Sequence, residues 1–360
     1  MTVDFRVIDT GVRDGRAQIA FDEALIELHR QGRSPDTVRF LRFPPTVLVG
    51  RHQAVSHEVK LDHIKANGIG LVRRITGGGA IYLDPRQVGW EIVLSRKRLP
   101  MATLGDYTRA ICDAVAHGLS QRFEIDARFR PRNDIEVDGR KISGTGGFFD
   151  GDTLIYQGTV LVDVDPAAMM ACLNVPQAKL AKRELDKAEA RITTLKALRG
   201  VAPSVTAVQD AVLLGLREKL GIALHPDQPS PDEEALAIRR HDEEIGTDEF
   251  VFEIDQPGGA DVFDATCATA GGTIAAHVRL EGTGNARRIR EILLTGDFFV
   301  TPPRIVHDLE AALRGTIAVE AGGAVDRFFA KTKPDLLSAA PADFRAVVEA
   351  VMERATTGRP

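Results

Sequence analysis

Residues 132–159 read RNDIEVDGRKISGTGGFFDGDTLIYQGT, and the rest of the chain is organised around them. Ile135 and Val137, then the apolar run Thr153 to Val162, carry strand signals. Asp138-Gly139 between them makes a hairpin turn, because this pair accepts the positive φ angles that suit twisted, paired strands. The turn delivers Lys141 onto the start of the second strand. A glycine-punctuated segment follows, Ile142-Ser143-Gly144-Thr145-Gly146-Gly147, expected as a loop whose backbone approaches a ligand closely and whose amides face anionic oxygens. A lysine beside such a loop suits a phosphate or a carboxylate. Taken alone, a solvated lysine on a hairpin flank is the plainer reading.

A second stretch bears on that choice, although a run of glycines alone is more often a flexible turn. Arg73 to Ser95, RRITGGGAIYLDPRQVGWEIVLS, sets three consecutive glycines after two arginines. Such a loop can wrap a linear ligand while guanidinium groups reach anionic oxygens. Ala80 to Tyr82 and Val88 to Ser95 read as strands beside it, which a plain linker would not show.

Length and composition bound the class. A chain of 360 residues exceeds the usual single domain, so two are expected, and 44% hydrophobic with 27% charged residues is ordinary globular composition. A net charge of −5 argues against nucleic acid as the main partner. Cys112, Cys172 and Cys267 lie far apart, which suits a reducing compartment better than a disulfide scaffold; the first two sit in helical apolar runs and read as core. No secretory leader pattern opens the chain and no window approaches the roughly 18 apolar residues of a membrane span, so a cytoplasmic protein without membrane contact is expected.

Along the chain, strands are expected over 4–9, 37–42, 46–50 and 70–74, with Pro44-Pro45 breaking a pair between the second and third. Helices are expected over 16–28, 59–67, 103–122, 166–173, 177–188 and 204–220, the last with Ser204 as N-cap and Gly221 past its end. The proline- and charge-rich stretch 225–250 reads as a solvated helix and linker face. Beyond it the pattern changes to strands over 250–254, 261–265, 272–280 and 288–295, then helices near 304–314 and 341–353. The expected fold is α+β: a catalytic domain over 1–245 with a mixed, mostly antiparallel sheet flanked by helices, and a small α+β accessory domain over 246–360.

Several motifs then meet one family. Pro45-Thr46-Val47-Leu48-Val49-Gly50-Arg51-His52-Gln53, the Arg73 to Ala80 loop, and Arg132-Asn133-Asp134 with Gly139-Arg140-Lys141-Ile142-Ser143-Gly144 resemble the corresponding segments of lipoate-protein ligases. Those ligases sit within the wider group of biotin and lipoate ligases and octanoyltransferases. Gln157-Gly158-Thr159 stands where the family usually has H-G-T, Arg191-Ile192-Thr193 to Leu195 is similar to its R-V-T-x-L segment, and Leu294 to Phe299 resembles the ligases' accessory domain. The chain departs from the pattern at Leu83 (a common histidine), Gln87 (an asparagine), Gly146 (an alanine) and Gln157 (a histidine).

The resemblance implies an ATP-dependent lipoate-protein ligase, which joins lipoate to AMP and passes the lipoyl group to a carrier lysine. A carboxylate and an α-phosphate repel each other, so positive charge must sit between them; Lys141 is the candidate catalytic residue. Arg73 or Arg74 would clamp the phosphate, with the amides of Gly77, Gly78 and Gly79, and with Ala80, closing over the anhydride. Asn133, Asp134, Ser143, Gly144, Thr159, Arg191 and Thr193 complete the nucleotide side by resemblance, though a helix N-cap accounts for Thr193 equally. Asp134 would hold Mg²⁺, or orient Lys141, or simply close a turn. Val47, Val49, His52 and Tyr82 are candidates for the lipoate slot, each also readable as ordinary core or surface. The implied partner is a lipoyl-domain carrier: a 2-oxo acid dehydrogenase subunit, a glycine-cleavage carrier or another lipoate-binding protein. Two alternatives stand beside this reading, an octanoyl or lipoyl transferase working without ATP through a thiol near the lysine, and a non-catalytic lipoate-binding protein.

Overall fold

The computed structural model describes residues 3–174, 191–269 and 272–357. The helix expected over 177–188 lies outside them. An eight-stranded sheet runs in the order Ile222–Pro226, Val3–Val12, Thr37–Arg42, Val88–Ser95, Thr153–Val160, Arg140–Asp150, Asp134–Val137, Ala127–Arg130. Its first two pairings are parallel and the rest antiparallel, the mixed and mostly antiparallel sheet expected.

Helices cover both faces. On one, Leu104–Phe123 starts at a capping box between Thr103 and Asp106 and buries Leu104, Tyr107, Ile111, Val115 and Leu119. It crosses Val205–Leu220 so closely that a Cβ on Gly118 or Gly215 would strike the backbone of the other helix. Ser204 caps that second helix and Gly221, at φ 65°, ends it. On the other face lie Gly15–Arg30 and Pro231–Arg240.

Four local expectations are corrected. Thr37–Arg42 and Thr46–Val49 do not pair: the prolines carry the chain into a separate sheet of Gly70–Arg73, Thr46–Val49 and Ile81–Leu83. The helix expected over 59–67 is two shorter ones, Val55–Glu58 and Leu61–Ala66. The stretch 225–250 is no linker, because Pro231–Arg240 packs on Gly15–Arg30 and inserts Glu233, 1% exposed, against Arg6 and Ser34. Residues 250–254 form no strand either. Asp248–Val251 is a helical turn, and Phe250 joins the core around Ile19 and Phe21.

The remaining chain builds its own core. Antiparallel strands Phe263–Thr269, Gly272–Glu281 and Arg288–Gly296 pack against Ile305–Leu313 and Pro341–Thr357, with Ala321–Thr332 beside them. This second core runs from Ala265 to Ala355. Among the described residues no helix is long and apolar enough to cross a membrane.

Candidate active site

Asp138 and Gly139 take φ 51° and 76°, so the turn forms as its residue types dictate, and Lys141 follows at the start of Arg140–Asp150. The glycine-rich segment after it is strand and not loop, a correction to the sequence reading. Its glycines make room. A Cβ on Gly144 would stand 2.6 Å from Lys141 Nζ, so the lysine folds back across that position and places its ammonium 2.7 Å from Asp134 Oδ1. Asp134 Oδ2 accepts from Arg130 at 2.5 Å. The segment carrying Ile192 and Thr193 runs alongside, with the Thr193 N–H donating to the Lys141 carbonyl at 2.8 Å.

Lys141 borders a cavity of about 440 Å³. Asn133, Asp134, Gly144 and Thr159 share that border with it, and Gly77, Gly78, Gly79, Ala80 and Tyr82 form another part of the wall. Ile19, Leu41, Phe43, Leu48 and Leu83 give the cavity an apolar side. Asp297, Phe299 and Ser338 reach it from the second core. One cavity therefore combines a cation, a glycine loop and a dry slot, the mix that a ligand with an anionic head and an apolar tail requires.

Arg74 shapes the loop from beneath. Its guanidinium donates to the carbonyls of Leu48, Gly77 and Gly79 at 2.9–3.0 Å, and burial lowers its pKa to about 10. With three backbone acceptors held by this one side chain, the loop is fixed in shape.

Behind the apolar side lies a buried charge cluster. Arg39 donates to Asp22 at 2.6 Å and Glu91 at 2.7 Å, all three fully buried. Gln157 donates to both carboxylates and accepts from Thr76, so the glutamine standing where a histidine is common ties the cluster to the cavity wall. Burial first, then the Glu91 charge, pushes the Asp22 carboxyl well above its ordinary range.

The Lipoyl protein ligase A/B catalytic domain family matches residues 14–217. The chain belongs to that family. Its enzymes are lipoate-protein ligases and lipoyl or octanoyl transferases, and relatives of both kinds occur. The octanoyltransferase LipM of Symbiobacterium thermophilum is 29% identical over 270 residues, 69% of this chain and 98% of that one. A bipartite lipoate protein ligase of Thermoplasma acidophilum, solved in a study of it and its E2 lipoyl domain, superposes with a TM-score of 0.63 at 28% identity, covering 72% of this chain and 99% of that one. Plasmodium falciparum LipL1 in complex with lipoate, at 14% identity, shares the fold over 97% of this chain and 99% of its own, with a TM-score of 0.70.

Other candidates of this lipoyl ligase fold stand elsewhere. Arg73 is fully buried and spends its donors on the carbonyls of Gly50, Arg51, Gln53, Phe250, Val251 and Ile254; it staples two backbone segments and does not border the cavity. Val47 and Val49 face a small core with Val55, Val59 and Ile64, whereas Leu48, one residue out of phase, borders the cavity. Ser143 and Thr193 are buried with hydroxyls that have no hydrogen-bond partner among the described residues, and neither they nor the exposed Arg191 border the cavity. Thr193 is not the helix cap; Thr194 is, accepting from Ala197 N–H at 3.0 Å.

His52 lies outside the cavity too. It is buried and stacked on Phe298 at 5.1 Å, with Nδ1 unpartnered and the ring of His307 6.4 Å away. Burial, then Arg51, His307 and Arg73, holds its pKa well below 6.5. The unfolded chain therefore binds this proton first, and stability complete above about pH 6.5 falls as the pH drops below it, by up to about 1.4 kcal/mol per unit. His307, raised by Glu310, works in the opposite sense. His52→Leu should lose less stability than wild type between pH 6.5 and 5, read as melting temperature against pH. Parallel curves would refute the assignment.

Cys112 lies behind the cavity wall, its Sγ 3.3 Å from Thr145 Oγ1, and burial pushes the thiol to about 11. No cysteine among the described residues borders the cavity, and none of the three forms a disulfide. Among the described residues no group of three or more His, Cys, Asp or Glu side chains is arranged to hold a metal ion. Both Asp134 oxygens are committed to Lys141 and Arg130, so this carboxylate does not fit Mg²⁺ as it stands.

Sequence reasoning missed Ile19, Asp22, Leu41, Phe43, Leu48, Thr76, Leu83, Gln157 and Phe299 as residues of the cavity wall. A usable signal existed for two of them. Leu83 and Gln157 depart from the family pattern at positions beside its motifs.

Proposed function

We propose that the protein is an ATP-dependent lipoate-protein ligase, activating lipoate as lipoyl-AMP and transferring the lipoyl group to a lysine of a lipoyl-domain carrier. The observation that carries this reading is Lys141, held by Asp134 over Gly144 at the border of a cavity with an apolar side and a glycine loop. The ammonium neutralises the lipoate carboxylate and the α-phosphate as they approach, gaining most as charge redistributes in the transition state. Asn133, Asp134, Gly144 and Thr159 surround the nucleotide end, the loop Gly77 to Ala80 closes over the anhydride between nucleotide and tail, and Ile19, Leu41, Phe43 and Leu48 take the tail. A divalent metal would come with the phosphates of ATP, and Asp134, engaged with Lys141 and Arg130, would not be its ligand.

Two further observations support the reading. A solved relative is a lipoate-protein ligase A bound with ATP, at 27% identity and a TM-score of 0.60. The chain also carries a second core beyond the family match, and Asp297, Phe299 and Ser338, beside that core, border the same cavity, which suits the accessory domain expected over 246–360. The free cysteines agree with a reducing, cytoplasmic setting. The carrier would be a 2-oxo acid dehydrogenase subunit, a glycine-cleavage carrier or another lipoate-binding protein.

A second reading, an octanoyltransferase, is favoured by the LipM relatives. It needs a reactive thiol at the lysine; burial holds the Cys112 thiol protonated behind the wall, and Cys172, packed beside Ala80 and Tyr82, does not border the cavity. The test offers lipoate, octanoate and biotin with ATP and a lipoyl domain, following pyrophosphate and carrier mass. Lipoyl transfer that requires ATP supports the ligase. Acylation without ATP from an acylated donor selects the transferase, and no modification by either route leaves only binding.

A further inference from the structure

Phe299 belongs to the second core by its backbone. Its N–H donates to Ser338 Oγ at 3.0 Å, its carbonyl accepts from Leu337 at 3.2 Å, and Val300 pairs with Leu336. Its ring, however, lies on the first unit. A Cβ on Gly146 would overlap the ring, and one on Gly78 would stand 2.6 Å from Cζ. Gly146 pairs directly with Gln157, so the ring rests on the sheet face that carries Gln157, beside Phe148. That is the face toward Ile19, Leu41 and Leu48, and Phe299, Gly146, Gly78 and Gln157 all border the cavity. The neighbouring Phe298 carbonyl accepts from Gly78 N–H at 3.3 Å and anchors the segment to the glycine loop.

We propose that Phe299, seated in the space left by Gly146, is a wall of the acyl slot and sets the length of acid the enzyme accepts. One wall of the specificity pocket is thus supplied by the accessory domain. A residue with a side chain at 146 would close the seat; glycine leaves a hole that an aromatic ring from the other core fills. The inference rests on the acyl-ligase reading. It also links two events: an acid too long for the slot displaces the ring and loosens the contact between Phe298 and Gly78, so chain length and domain docking become coupled.

The test compares hexanoate, octanoate, decanoate and dodecanoate in ATP-dependent adenylate formation. Binding is followed separately through Trp90, the single tryptophan, which borders the cavity. Since one methylene in an apolar pocket is worth about tenfold or more, Phe299→Ala should raise the decanoate-to-octanoate ratio of kcat/KM by at least about tenfold, with Phe299→Leu between. The binding constants should move in the same order. A merely structural ring would lower all acids alike and keep the ratio. That result, in a folded Phe299→Ala or, if it does not fold, in Phe299→Leu, overturns the proposal. Should wild type form no adenylate with any acid, the ligase reading falls, and the Trp90 binding series still decides the wall; unchanged chain-length order there, or no binding at all, overturns it.

Discussion

Lys141→Ala is expected to lower acyl-adenylate formation by about a thousandfold or more while leaving the fold in place. The size follows from where the charge sits. Removing one preorganised donor from a developing oxyanion costs about 10²–10³ in rate, and this ammonium faces two anions that must meet. The stability effect is small because the Lys141 side chain is 36% exposed and its ion pair with Asp134 is partly open to solvent. Such pairs contribute about 1 kcal/mol or less. Asp134 keeps Arg130 as a partner, so no carboxylate is stranded. Pyrophosphate release measures the rate and thermal melting the fold. A variant retaining more than a few per cent of the rate would remove Lys141 from the chemistry, and one that melts far below wild type would make the lysine a structural residue.

What could be read in the sequence was what local chemistry decides. Asp138-Gly139 has one good use, and the lysine after it could be placed before the fold was seen. The arginine pair before the glycines was recognisable, but its division of labour was not. Arg74 organises the loop and Arg73 staples backbone to residues almost two hundred positions away, and only the tertiary fold separates them. Strand periodicity put Val47 and Val49 on one face and Leu48 on the other. It did not say which face held the cavity. Glycine density argued for a loop over 142–147, since glycine weakens strands; the strand forms regardless, because Lys141, Tyr156 and Phe299 occupy the space that side chains at 144, 147 and 146 would have taken. Asp22 and Gln157 meet only through the packing of the Gly15–Arg30 helix on the sheet, a contact that no spacing rule reaches.

The largest stability loss is expected from Arg39→Leu, about 3–5 kcal/mol, a large part of the total for an ordinary domain. Arg39 is fully buried on Thr37–Arg42 and faces Glu91 across the ladder and Asp22 on the Gly15–Arg30 helix. It also donates to Thr10 and Gln18 and lies 4.5 Å over the Phe21 ring. Without it two carboxylates remain in a dry site with Gln157 as their shared donor. Asp22 would then hold its proton still more tightly in the folded chain than in the unfolded one. The deficit should therefore grow as pH rises from about 5 to 8, the direction already imposed on Asp22 by burial. Replacing Arg39, Asp22 and Glu91 together with apolar residues of similar volume should recover much of the loss, since the penalty belongs to the stranded charges and not to the missing ion pairs. Denaturant unfolding of the single and triple variants at two pH values decides it. A single variant within about 1 kcal/mol of wild type would mean that water reaches these carboxylates, and the apolar side of the cavity would then be wet as well.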